Sequence, residues 1–173
     1  MTITNFPKPI TPDVGGTKDF SFIETDLVPQ IPLPISNEIT ANLTLAPGAT
    51  VKAGYASPFS YQFDLKPDQE PFPNYYNFVL SGFYPEISKN ILSLFESMKQ
   101  KSFIVIATDN NKKQRLVGNE LTPLFFNYVE VNGLNVPNKK GLQYQFFGAL
   151  LKPPPFFKPV SPLTAQHKAI TLQ

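Results

Sequence analysis

Proline placement constrains this chain more than any other feature. Residues 28 to 36, VPQIPLPIS, carry Pro at 29, 32 and 34, and residues 152 to 162, KPPPFFKPVSP, carry it at 153, 154, 155, 159 and 162. A proline holds φ near −65° and lacks the N–H that a helix interior or a strand ladder needs. Both stretches are therefore barred from helix and from central strands, and they favour extended polyproline geometry. Between them the apolar runs are strong, and 42% of the 173 residues are hydrophobic, enough for one sizeable core. The expected organisation is an extended N-terminal arm over 1–14, a single β-rich domain over 15–151, and a Pro-rich C-terminal arm over 152–173.

Within that body, period two dominates. Phe59, Tyr61, Phe63 and Leu65 alternate with polar residues, and Leu142, Tyr144 and Phe146 do the same against Gln143 and Gln145. This is the pattern of half-buried strands. Phe20 and Phe22 start a shorter one, and 39–45 (ITANLTL) and 76–83 (YNFVLSGF) are further candidates. FIVIAT, 103 to 108, is apolar throughout, as a strand covered on both faces should be. One helix interrupts the strands. Ile87, Ile91, Leu94, Phe95 and Met98 share a face at a 3.6-residue period, which predicts a helix over about 85–101 with Pro85 and Glu86 in its first turn. The predicted fold is a mainly antiparallel β-sandwich or barrel-like domain, with this amphipathic helix packed on a sheet and extended Pro-rich arms.

The polar stretch DNNKK, 109 to 113, joins two runs of strand composition, so a hairpin is expected there. Asp109, Asn110 and Asn111 resemble the start of a calcium loop. Such a loop needs a Gly at its sixth position and a distal Glu, whereas Lys112, Lys113 and Gln114 follow here, and the two lysines would repel a cation.

Catalytic chemistry has little to work with. The chain holds no cysteine and one histidine, His167, in the Pro-bounded tail. Disulfides, thiolate metal sites and a Cys–His or Ser–His pair with a positioned base are thereby excluded or unsupported. Glu24 with Asp26, or Asp68 with Glu70, are the carboxylate pairs a hydrolase reading would use, and ordinary surface charge explains each. Gly15-Gly16 lacks the spacing of a phosphate loop. The aromatic strand Phe59, Tyr61, Phe63 suits core packing first and a glycan- or peptide-binding face second. No signal-peptide pattern and no apolar run of about 18 residues occur, so residence in an aqueous compartment, without a membrane, is expected. Neither an enzyme nor a cofactor is expected.

Only 16% of the residues are charged, which favours burial against partners. The charges are also segregated: the first 130 residues hold 10 bases and all 13 acids, and the last 43 hold five lysines and no acid. A basic end suits the acidic body of a neighbour.

One set of spacings carries a family resemblance. FIVIATDNNKKQRLVGNELTPLFFNYVEVNG, then GLQYQFFG and PPPFF, resembles small structural proteins of tailed bacteriophages and prophages of Bacteroidetes. The matching positions are Gly15-Gly16, the Pro85–Lys101 helix, Ile104–Asn110, Arg115–Gly118, Gly133 and Gly141–Gly148. Two features depart from the family: Lys112 stands where a turn Gly is common, and the prolines of 28–36 lie outside its pattern. The resemblance implies a non-enzymatic virion protein, assembled in the host cytoplasm as a homo-oligomeric ring at the head–tail connector (neck) or in the tail, with a tail tube subunit as the alternative. Its implied partners are copies of itself and other virion proteins, with non-specific proximity to DNA in the lumen.

The arm from Lys152 completes the expectation. Its 22 residues, at about 3.3 Å each, could extend ~70 Å, against a diameter of ~40 Å for a compact chain of this length. Phe156 and Phe157 would be its anchors on a neighbouring subunit, flanked by Lys152 and Lys158.

Overall fold

The computed structural model describes residues 17–57, 60–68, 75–132 and 140–159. It is mainly β, with one helix packed on a curled sheet. The sheet is organised around β6 (Ser102–Asp109), the strand expected to be covered twice. One edge of β6 takes β1 (Thr17–Glu24) antiparallel over most of its length, and β1 carries the short β3 (Lys52–Ala53). The other edge is shared. β7 (Gln114–Val117) pairs with Val105 to Thr108, and β8 (Leu124–Val131) pairs with Ser102 and Phe103. From β8 the sheet continues through β9 (Gly141–Leu150) and β5 (Tyr76–Tyr84) to β4 (Gln62–Pro67). From β7 it continues through β10 (Phe156–Phe157) to β2 (Glu38–Ile39).

Two cores result, one on each face of β6. Phe103 and Val105 point into an aromatic core with Phe20, Phe78, Phe126, Tyr144 and Phe146. The curl of the sheet brings β4 and β5 opposite β1, and residues 53–57 stitch the gap. Ala56 N–H donates to the Tyr61 hydroxyl at 2.8 Å, and Ser57 N–H donates to the Phe83 carbonyl at 2.8 Å. Ile104 and Ile106 point the other way, into a smaller core with Ile23, Val28, Ile39, Leu43, Leu116 and Phe157. Among the described residues no second strand layer covers that face; the largely irregular chain from 25 to 51 does, and Phe157 of β10 joins the core from within the sheet.

The helix α1 spans Lys89–Met98, shorter than the sequence expectation of 85–101. Ser88, in extended conformation, caps it by accepting from Ile91 N–H at 3.5 Å, so Pro85 and Glu86 precede the helix rather than open it. Ile91, Phe95 and Met98 are buried as the period demands, but Leu94 is half exposed. Phe95 is the insertion point, edge-on to Phe126 at 5.0 Å and to Tyr128 at 5.3 Å. A second expectation also changes. Of 39–45 only Ile39 belongs to a strand, and Thr44 makes one isolated bridge to Gln30. Ile39 and Leu43 both face the aliphatic core, and residues four apart do so while the chain meanders over that core as a cover.

The hairpin at 109–113 forms as expected. Asp109 N–H donates to the Lys113 carbonyl and Lys112 N–H to the Asp109 carbonyl, both at 3.0 Å. Asp109 Oδ1 accepts from the N–H groups of Asn111 and Lys113 at 2.8 Å each. Lys112 sits at φ 63°, the left-handed position that a glycine fills in three-residue hairpin loops. The carboxylate is thus spent on the backbone of its own turn.

Candidate functional site

The two proline-rich stretches, far apart in sequence, become the two walls of one groove. Its volume is about 560 Å³, and Pro29, Pro32, Pro34, Pro153, Pro154 and Pro155 all line it. Each wall is held by specific contacts. The first follows the short 3-10 turn Thr25–Leu27, where Val28 N–H bonds to the Thr25 carbonyl at 3.0 Å and Val28 is buried. It ends in a tight turn in which Ile35 and Glu38 exchange both backbone hydrogen bonds, with Ser36 and Asn37 at φ 50° and 65°. Positive φ at both central positions is the type I′ geometry.

The second wall is fastened by the chain that follows it. Leu116 N–H donates to the Pro155 carbonyl at 3.1 Å, Arg115 Nη1 donates to the Pro154 carbonyl at 3.4 Å, and Phe156 N–H donates to the Asn37 carbonyl at 2.9 Å. The third side is the loop after β7. Asn119 Oδ1 accepts from Leu121 N–H at 2.9 Å, Thr122 N–H at 2.8 Å and the Thr122 hydroxyl at 3.1 Å. This Asx turn holds Leu121 outward at its apex.

The rim is apolar and open. Leu33, Leu121 and Leu151 line the groove while 87%, 85% and 63% exposed. Single exposed leucines are ordinary, but three around one concavity make a patch of the kind that marks an interaction surface. Glu120 and Lys152 are the only charged residues in the lining. No nucleophile–base pair lies there, and among the described residues no group of three or more His, Cys, Asp or Glu comes together. The groove can bind apolar chain; it holds no apparatus for bond making.

A second uncovered surface is the outer face of β8 and β9. Phe125 pairs with Phe147, Asn127 with Gln145, and Val129 with Gln143. Phe125 and Val129 are 49% and 63% exposed. These six positions carry no charge: three are apolar and three are amides that can hydrogen-bond a partner.

The residues expected to anchor on a neighbour are placed differently. Phe157 is 2% exposed inside the aliphatic core of its own chain, because β10 slots between β2 and β7. Phe156 lies under the Arg115 guanidinium, 4.6 Å from ring centre to Cζ, and Lys158 pairs with Glu38 at 2.6 Å. Lys152 and Lys158 both remain exposed, Lys152 at the groove. The domain body therefore runs to Pro159 rather than ending at 151, since β10 is a strand of the sheet and places Phe157 in the aliphatic core. Residues 160–173, with His167, lie outside the described residues, as do the arm over 1–14 and Gly15-Gly16.

The other candidates resolve locally. Glu24 pairs with Lys101 at 2.8 Å, and Asp26 sits in the 3-10 turn. Asp68 is described but Glu70 is not. In the aromatic strand, Tyr61 meets Phe20 edge-on at 5.7 Å and Phe63 meets Phe78 at 5.0 Å, both inward, and burial pushes the Tyr61 phenol upward. Phe59 lies outside the described residues. Sequence reasoning missed Leu33, Leu121 and Leu151. For Leu33 and Leu151 the available signal was that 28–36 and 151–155 both mix leucine or isoleucine with proline, leaving apolar side chains on segments barred from a sheet interior; Leu121 carried no such signal.

Comparison with known proteins identifies no relative: no family model, no curated protein and no solved structure matches this chain.

Proposed function

We propose that this chain is a non-enzymatic structural subunit of a tailed-bacteriophage virion, assembling with copies of itself into a ring at the head–tail connector or in the tail. One observation carries the assembly: a small domain with 16% charged residues leaves an apolar, proline-walled groove uncovered, with three exposed leucines around it. Groove and uncharged sheet face are different surfaces of one chain, and contact between unlike surfaces is what closes a ring. The virion setting rests on the spacing resemblance around residues 103–148. A glycan-stacking face on 59–65 is the weaker reading, because Tyr61 and Phe63 are used in the core.

Light scattering across the micromolar range, with electron microscopy of the same samples, tests the assembly. A discrete closed oligomer is expected. The virion setting is tested by the flanking genes and by mass spectrometry of purified particles. Portal, capsid and tail-tape neighbours with the chain present in particles are expected; carbohydrate-utilisation neighbours would overturn the assignment.

A further inference from the structure

We infer that the proline-walled groove is the acceptor half of the contact between copies, and that its occupant is residues 163–173 of a neighbouring copy. This rests on the ring reading and names the surface that would carry it. The groove's chemistry selects the occupant. Six of its wall residues are prolines, none with an N–H donor, and beyond the Pro154 and Pro155 carbonyls, which accept from Arg115 and Leu116, the wall offers the carbonyls of Pro29, Pro32, Pro34 and Pro153. Its rim is leucine. A complementary segment brings backbone N–H groups and apolar side chains, so it is extended and free of proline.

Within this chain, the sequence outside the described residues supplies one such segment. After Val160, Ser161 and Pro162 comes LTAQHKAITLQ, 11 residues without proline, bearing Leu163, Ile170 and Leu172. By contrast, residues 1–16 are broken by Pro7, Pro9 and Pro12. The segment holds Lys168 and no acid, and the lining holds one acid and one base, Glu120 and Lys152, so charge does not oppose the fit.

The path of the chain indicates a neighbour rather than the same copy. Pro153 to Pro155 line the groove, and β10 then runs antiparallel to β7, pairing Phe156 with Arg115. Strand β7 leads from Gln114, beside the 109–113 hairpin, to Gly118 at the groove. The chain therefore leaves Phe157 heading for the hairpin, away from its own groove. The 14 residues from 160 to 173 can extend about 45 Å, which is enough to reach across to an adjacent domain without a reversal.

Complementation of two full-length variants tests this. Leu121→Glu, or independently Leu33→Glu, places a charge in the groove at a site so exposed that folding is unaffected, and circular dichroism checks that it is. Ile170→Glu with Leu172→Glu spoils the donor segment. Where the unsubstituted chain assembles, each variant alone is expected to be monomeric by light scattering. Mixed in equal amounts, they are expected to form a 1:1 heterodimer and nothing larger, because one intact groove and one intact segment remain. Groove variants that assemble normally would overturn the inference and leave the ring reading standing, as would monomeric variants that fail to pair on mixing. An unsubstituted chain that stays monomeric at every concentration would overturn both.

Discussion

The hydroxyl of Tyr144 donates a 2.7 Å hydrogen bond to the carbonyl of Tyr55, 89 residues away in sequence. It ties β9, in one half of the curled sheet, to the irregular segment that follows β3 in the other. Tyr144 is buried, and burial pushes its phenol far above the ordinary value near 10. Burial also raises Tyr61 and Tyr84, and the hydrogen bond to Glu96 raises Tyr128.

The folded chain therefore keeps the Tyr144 proton at a pH where the unfolded chain has released it. Stability from this group is intact below about pH 10 and falls as pH rises beyond it, by about 1.4 kcal/mol per pH unit. Tyr144→Phe is expected to cost about 1 kcal/mol at pH 7, for one hydrogen bond lost, and to flatten the alkaline decline. Urea titrations at pH 7 and pH 11 check this; an equal deficit at both would refute the alkaline role.

Lys112→Gly is expected to stabilise the domain by about 0.5–1 kcal/mol, since φ 63° costs a side-chain-bearing residue and not glycine. Asp109→Ala, in the same loop, is expected to cost about 1–3 kcal/mol, because two backbone N–H groups lose their acceptor. Denaturation midpoints moving in opposite directions at unchanged slope are the expected result.

Phe157→Ala is expected to cost about 3–5 kcal/mol, the range for emptying a buried aromatic site. Phe156→Ala loses the Arg115 stack and half-buried area and is expected to cost much less, with about 0.5–1 kcal/mol from the cation–π contact. Lys158→Ala removes an exposed ion pair and should change stability by under about 1 kcal/mol. Thermal unfolding of the three variants ranks them. A free arm would instead leave all three close to the unsubstituted chain.

Gly54→Ala is expected to cost about 1–3 kcal/mol, because the added Cβ would collide with the Phe20 ring that lies over this glycine. Phe20 also packs against Tyr61, Phe146 and Tyr144, so it has little room to yield. Calorimetry would show the loss; an unchanged transition would mean that the 53–57 closure is looser than described.

Much of the architecture was legible before any coordinates, and for a local reason. Side chains alternate along a strand and recur at 3.6 along a helix, so Leu142, Tyr144 and Phe146, or Ile91, Phe95 and Met98, announce their faces within a few residues. The all-apolar run at 103–108 declared two covers for β6, and Asp109 with its neighbours declared a turn. The second core, on the other face of β6, has no such local period. Its residues come from irregular chain, as Val28 and Leu43 do, and from neighbouring strands of the sheet, as Leu116 and Phe157 do, with no shared spacing. Phe157 therefore read as a surface anchor, although the two-residue strand β10 places it in the aliphatic core. Likewise Ser88 outcompeted Pro85 for the helix start because its hydroxyl met the Ile91 N–H. Sequence alone determined which residues must leave water and which backbone cannot join a sheet. Only the tertiary structure decided that the proline stretches at 28–36 and 152–155 face each other, because that depends on β10 threading between β2 and β7, two pairings that join Phe156 to residues 118 and 41 positions away.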